Sequence, residues 1–195
     1  MGNSIQITEK PEWISWDDIH NVLWKAHSSN REKGIFMHYS TLSGNEIRQR
    51  IDGKGKMFCA IKDNKLVGTA AIVPKTTMLW YDKVPTTYAY LCFACVLPEY
   101  AGQGVYKQLY IYREEKIEKM GLRNMMFDTH ENNCRILEIN SKNGFVPVDY
   151  KFYKDHFNIV MVNWPDGCPY SDIRVKYEFT KRKFITKIKF ILNQL

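Results

Sequence analysis

The residues best placed to do chemistry lie in Val96-Leu-Pro-Glu-Tyr-Ala-Gly-Gln-Gly-Val-Tyr-Lys-Gln-Leu109, an apolar run that passes through two glycines into a helical pattern. Glycines at such a turn let the main chain approach a ligand closely. The N–H groups of a helix start, with the helix dipole behind them, then form an anion site whose natural guest is phosphate. Spacing excludes two familiar nucleotide motifs. A Walker loop needs Gly-x-x-x-x-Gly-Lys-Ser/Thr and a dinucleotide fold needs Gly-x-Gly-x-x-Gly. Here Lys107 and Gln108 follow Gly102-Gln103-Gly104 with neither the third glycine nor the hydroxyl residue.

The elements that must position this turn can be read from periodicity and punctuation. Ile5 to Ile7 suggests a first strand, and Ser15 an N-cap with Asp17 and Asp18 in the first helical turn; Ile19, Val22, Leu23 and Ala26 then mark one helix face. The stretch 27–42 carries no pattern, and Ser43-x-x-Glu46 is a capping box for a short helix bearing Ile47 and Ile51. Runs 57–61 and 66–73 read as a hairpin around Asp63-Asn64, with Gly68 at a bulge or a close backbone approach. After an excursion over 74–86 comes a long strand, about 87–97, closed by Pro98. Val105 to Met120 is a helix stopped by Gly121, 124–129 a short strand, 132–143 a helix closed by Gly144, and 157–162 a further strand.

The glycine turn and its surroundings resemble the core of the GNAT superfamily of N-acetyltransferases, which typically reads Val-x-Pro-Glu-Tyr-Arg-Gly-x-Gly-Ile-Gly before a helix. A second stretch, Asn133-Cys-Arg-Ile-Leu-Glu-Ile-Asn140 followed by Asn143-Gly-Phe145, is similar to that family's other signature. The resemblance covers about 58–153 and implies an α/β (α+β) fold, a mixed and mostly antiparallel sheet of six to seven strands flanked by helices. It also implies acetyl transfer from acetyl-CoA, as cosubstrate, to a primary amine. The positions it assigns to the cosubstrate are Val96 and Leu97 through their backbone, Gly102, Gln103, Gly104, Val105 and Tyr106 at the pyrophosphate, and Asn133 at the pantetheine arm. Asn133 reads equally well as a helix cap. The family's Gln/Arg-x-x-Gly-x-Gly/Ala positions hold Ala101, Gly104 and Tyr106, so the central glycine alone is kept and recognition falls to main-chain amides.

For acid–base work the resemblance offers a Tyr after Gly-Phe as general acid. Tyr153 and Tyr150 both lie in that window, Tyr153 matching better. The fourth strand lacks the Glu or His that some relatives use as base, which leaves His130, with Glu131 beside it. No metal is called for.

Composition narrows the setting. Hydrophobic residues at 45% and charged ones at 25% are globular values, and the length suits a domain over 1–173 with a tail over 174–195. No apolar run nears the ~18 residues of a membrane span, and no signal-peptide core opens the chain, so a cytoplasmic protein is expected. Five cysteines at irregular spacing fit a reducing compartment, and Cys92-x-x-Cys95 reads as a pair of structural thiols on opposite faces of a strand. The formal charge of +7 is concentrated in Arg174, Lys176, Lys181, Arg182, Lys183, Lys187 and Lys189 against Glu178. The body is nearly neutral, which argues against nucleic acid as a partner.

In that tail Phe184, Ile185, Ile188, Ile191, Leu192 and Leu195 make a basic amphipathic helix over 178–195. It either docks on the domain or a second subunit, a homodimer included, or lies peripherally on an anionic membrane at its inner face. The acceptor is a small-molecule amine, and the loops 27–42 and 74–86, rich in aromatic and uncharged polar residues, with Phe36, His38, Tyr39, Trp80 and Tyr81, suit an aminosugar. Two other classes compete: a GNAT-like domain that binds coenzyme A without transfer, and a membrane-associated binding module acting through the tail.

Overall fold

Ser15 and Ser43 each open a helix where the sequence places one, and each does so through a complete capping box. Ser15 receives the Asp18 amide while Asp18 accepts from the Ser15 amide at 2.8 Å; Ser43 and Glu46 repeat the exchange. The computed structural model describes residues 4–35, 37–153 and 155–194, the His38 side chain excepted. The chain gathers into two units, residues 1–75 with 89–122 and residues 76–88 with 123–195.

The first unit contains β1 (Gln6–Glu9), α1 (Trp16–Ala26), α2 (Ser28–Glu32), α3 (Gly44–Ile51), β2 (Lys56–Lys62), most of β3 (Lys65–Thr77) and of β4 (Thr86–Val96), and α4 (Val105–Lys119). Strands β1 to β4 are neighbours in sequence order. Asp63 and Asn64, at φ +50° and +58°, turn β2 into β3, the left-handed pair that a two-residue hairpin requires. Alternation along β2 sends Cys59 and Ile61 to the side of Ile19, Leu23 and Ile47. Phe58 goes to the other side, where its ring meets Tyr112 of α4 edge-on at 5.4 Å. A Cβ at Gly68 would lie 2.8 Å from the Cys95 carbonyl oxygen and 3.4 Å from both Leu109 and Val105, so β3, β4 and α4 meet there without room for a methyl group. Both readings of Gly68 hold, since the β2–β3 register also slips opposite it, between Ala60 and Ile61.

Two features of the first unit depart from the sequence reading. The patternless stretch 27–42 contains α2 and a 3-10 turn, His38–Thr41, short pieces without an amphipathic period to betray them. Phe36 lies outside the described residues. Phe93, in the middle of β4, has φ +52°, a left-handed conformation rare for a bulky side chain. Buried Thr69 holds it there, its hydroxyl donating to the Phe93 carbonyl at 2.7 Å.

The second unit contains β5 (Met125–His130), α5 (Cys134–Lys142), β6 (Val146–Tyr153), β7 (His156–Asn163) and α6 (Asp172–Leu192), with the hairpin tip 76–88. Strand β7 lies between β5 and β6 and is antiparallel to both. In the tip, Tyr88 donates to Asp82 at 2.8 Å and Trp80 Nε1 to the Val148 carbonyl at 2.8 Å. Tyr81 packs edge-on against Trp164 at 5.1 Å.

Helix α6 docks on β6 and β7, but not through the stripe its sequence advertises. The docked face is Val175, Phe179, Arg182, Thr186 and Phe190: Phe190 meets Phe152 at 4.5 Å, Arg182 reaches Asp149 at 3.3 Å, and Thr186 donates to the Tyr150 carbonyl at 3.2 Å. Phe184, Ile185, Ile188, Ile191 and Leu192 stay exposed. Leu195 lies outside the described residues.

Two measurements check these accounts. Thr69→Val removes the donor that holds Phe93 and should cost about 1–2 kcal/mol, read as a lower urea midpoint at unchanged m-value. His27 is buried with its Nε2 unpartnered, and burial first, the Arg31 charge second, push its pKa down to about 4. An unfolded imidazole takes its proton near 6.5, so from there down to pH 4 the unfolded chain binds more protons and stability falls with pH, by about 3 kcal/mol from this ring. In His27→Gln the difference in unfolding free energy between pH 7 and pH 4 should shrink by about that amount.

Candidate functional site

In the first unit, β4 ends at Val96 and the chain enters a 3-10 turn, Pro98–Tyr100, before α4. Pro98 supplies the fixed φ that starts such a turn and ends the strand. The Leu97 amide donates to the Val67 carbonyl at 2.9 Å, which ties the turn to β3, and the Leu97 carbonyl accepts the Tyr100 amide at 2.9 Å, which closes the 3-10 turn. Gly102 and Gly104 both stand in the left-handed region, at φ +78° and +77°, and a Cβ on either would meet nothing within 4 Å. Gly104 is the N-cap of α4. The amides that follow, of Val105, Tyr106 and Lys107, have no carbonyl one turn back to bond. The Val105 side chain is buried in the core, so its contribution here is its N–H. Residues 101–104 are exposed, and unbonded first-turn amides behind them suit a phosphate group.

Gln103 is committed elsewhere. Its Nε2 donates to the Glu99 carbonyl at 3.1 Å and its Oε1 accepts from Lys62 Nζ at 3.0 Å. The side chain therefore braces the turn, and Lys62, which the sequence reading passed over because it lies 41 residues away, brings a cation to the same place. The loop 27–42 is braced too. Tyr39 stands edge-on to His27 at 5.3 Å and to Phe93 at 5.7 Å, and Arg31 covers the Trp24 ring at 3.6 Å.

The second unit gathers the titratable candidates. His130 ends β5, buried, and its Nδ1 accepts the Asn132 amide at 3.0 Å. A backbone N–H can only donate, so the neutral ring carries its proton on Nε2. His156 stacks on His130 with ring centroids 5.0 Å apart and planes 14° from parallel. Burial first, and the His156 charge second, hold the His130 pKa below the ordinary imidazole range. His156 itself donates from Nδ1 to Asp155 Oδ1 at 2.7 Å, which leaves Nε2 with the free lone pair. Its side chain is 10% exposed. Tyr153 presents its ring edge to His156 at 5.9 Å and is 41% exposed. Thus the expected pair, His130 and Tyr153, converges on a residue that sequence reasoning missed. Its signal was the Asp155-His156 neighbourhood two residues after Tyr153.

Tyr150 and Asn133 are placed differently. The Tyr150 hydroxyl is buried and donates to Glu131 at 2.6 Å; burial, then that bond, then the Glu131 charge raise its pKa well above the usual phenol value. It is poorly suited to give up a proton. Asn133 occupies the N-cap position of α5, but its side chain makes no capping bond and donates instead to Thr129 at 3.0 Å. Of the expected acceptor contacts, Tyr81 is buried and Trp80 gives its N–H to Val148. Among the described residues no cluster of three His, Cys, Asp or Glu side chains could hold a metal ion.

Residues 16–145 match the model of the acetyltransferase (GNAT) family. No curated protein matches the chain. Solved structures similar to it include the ribosomal-protein-S18-alanine N-acetyltransferase of Escherichia coli, 15% identical over 83% of this chain and 94% of that one, with a TM-score of 0.62. The PaiA N-acetyltransferase of Thermoplasma acidophilum, in complex with coenzyme A, is 19% identical over 83% and 99%, with a TM-score of 0.60. An aminoglycoside 6'-acetyltransferase type Ii is 16% identical over 84% and 99%, with a TM-score of 0.63. At these identities the likeness establishes the fold.

The geometry separates main-chain from side-chain recognition. A valine at the left-handed Gly104 forces the turn out of shape at about 1–3 kcal/mol, so Gly104→Val should weaken coenzyme A binding about tenfold or more. Gln103→Ala, which loses only bracing, should weaken it less than about threefold. Isothermal titration with coenzyme A measures both, and equal losses would show that side-chain recognition rules.

Proposed function

The chain belongs to the GNAT acetyltransferase family, and we propose that it moves an acetyl group from acetyl-CoA to the primary amine of a small molecule. The observation that carries this reading is the pair of left-handed glycines in the exposed turn ahead of α4, followed by first-turn amides with no carbonyl to bond. Lys62 adds positive charge for the phosphates, and Val96, Gly102 and Tyr106 line the same segment with main-chain groups. Asn133, buried and held by Thr129, is assigned to the amide-rich pantetheine arm.

When bound, acetyl-CoA supplies the thioester carbonyl to which the amine adds, so that a C–N bond forms and the C–S bond breaks. The side chains move two protons. His156 Nε2 takes one from the amine nitrogen, the Asp155 carboxylate stabilising the imidazolium through Nδ1. His130, kept neutral, stacks against that ring and fixes its plane. Tyr153 gives a proton to the departing sulfur. The roles of base and orienting partner therefore pass between two neighbouring imidazoles, with His130 limited by the Asn132 amide on its basic nitrogen.

The acceptor is drawn from aminosugars and other small amines. In support, the described part of 27–42 offers aromatic rings and hydroxyls without carboxylates apart from Glu32. Release of free thiol from acetyl-CoA across a panel of aminosugars, polyamines and amino-terminal peptides tests both reaction and acceptor. Binding of acetyl-CoA with no turnover on any amine would reduce the protein to a coenzyme A binder. With the best acceptor, His156→Gln should lower kcat by about 100-fold or more and Tyr153→Phe by about tenfold. An unchanged rate in His156→Gln, with His130→Gln inactive, would return the base to His130.

A further inference from the structure

Helix α6 has two apolar faces and uses one. Its 21 residues extend about 30 Å at the usual helical rise. At 100° per residue, the docked side chains Val175, Phe179, Arg182, Thr186 and Phe190 share one side, against β6 and β7. On the opposite side Ile173, Tyr177, Phe184, Ile188 and Ile191 fall within an arc of about 60° and form a stripe from one end of the helix to the other. The stripe is open. Ile173 is 81% exposed, Tyr177 62%, Phe184 66% and Ile191 58%. A row of exposed apolar side chains of this length marks a surface that something covers.

The charges around it say what. Lys176 borders the stripe on one side and Arg174 and Lys181 on the other, all cations, while Lys187, next along the first side, is turned inward to Glu131 at 3.7 Å. The acidic residues of the helix lie outside the stripe, Asp172 at its start and Glu178 toward Lys181, 4.0 Å away. A second copy seated on this stripe would set lysine against lysine, whereas anionic lipid headgroups complement every border position. No described helix is long and apolar enough to cross a membrane, which limits α6 to lying along one. Tyr177, an aromatic ring with a polar tip, suits the headgroup level.

We propose that the outer face of α6 seats the protein on an anionic bilayer surface, with Phe184, Ile188 and Ile191 entering the acyl boundary and the bordering lysines on the headgroups. Docking on the protein and docking on lipid thus use opposite faces of one helix and can hold together. The proposal stands apart from acetyl transfer.

The test is flotation of the full-length protein with vesicles of phosphatidylcholine alone or with about 30% phosphatidylglycerol. Binding is expected to the anionic vesicles in 50 mM salt and to be lost in 500 mM, a contrast of at least about tenfold. Phe184→Ser with Ile188→Ser removes the apolar contact at exposed positions and should abolish binding while the melting temperature and thiol release stay unchanged. Lys176→Glu with Lys181→Glu should weaken it at least about tenfold. No binding in 50 mM salt, or binding that the Phe184/Ile188 variant retains, would overturn the proposal. So would a concentration-dependent dimer that this variant splits and that vesicles do not compete with.

Discussion

Tyr150 is buried among β7 and α6, and the proton of its hydroxyl goes to Glu131 across 2.6 Å. Much of the second unit follows from that contact. A carboxylate facing a phenol in a shielded place needs counter-charge, and Lys183 and Lys187 of α6 supply it from 3.9 and 3.7 Å. Both ammonium groups also lie over the Tyr150 ring. The same tyrosine accepts Thr186 at its carbonyl and stacks on Phe157 at 5.2 Å. Together these fix the rotation of α6 about its own axis. Turning the aliphatic stripe inward would take Lys183 and Lys187 away from Glu131. Glu131 is also the residue after His130, so what seats the helix holds the end of β5 that bears the stacked imidazoles.

The parts of the fold that were legible in the sequence are those governed by short-range chemistry. Ser15 and Ser43 wrote their helix starts, Asp63-Asn64 its hairpin, and Gly121 and Gly144, at φ +68° and +84°, two stops, because each depends on residues a few positions away. Long-range contacts left no such trace. Phe93 is held left-handed by Thr69, 24 residues distant, and alternation along β4 reads through it undisturbed. The docked face of α6 was hidden for a related reason. It is chosen by Asp149, Glu131 and aromatic rings, so it mixes Arg, Thr and Phe, while hydrophobicity pointed to the other side.

The glycine turn was found because two signatures agreed, and its geometry explains how it tolerates Ala101 and Tyr106 at positions where the family keeps other residues. A phosphate bound there, as proposed, would meet main chain, and main chain is present whatever the side chain. The proposed acid–base group was less legible. His130 stood out by its place after β5, but the hydrogen bond from Asn132 that sets its tautomer is a turn of backbone that no residue type announces. His156 gained its standing only when β7 paired beside β5 and set His130 near its register, opposite Asn158.

Gly68 touches no ligand-facing group, yet it sits where β3, β4 and α4 come closest, with the Cys95 carbonyl and the Val105 and Leu109 side chains around its missing Cβ. Val105 is the first residue of α4, and Leu97, two residues beyond Cys95, is bonded to Val67 beside Gly68. The two ends of the glycine turn are thus anchored on either side of a single unfilled volume. One added methyl group would act as a wedge between those anchors, altering the aim of the turn's amides without changing any of them. Selection on ligand affinity would then be felt at a residue whose only contribution is the space it leaves empty.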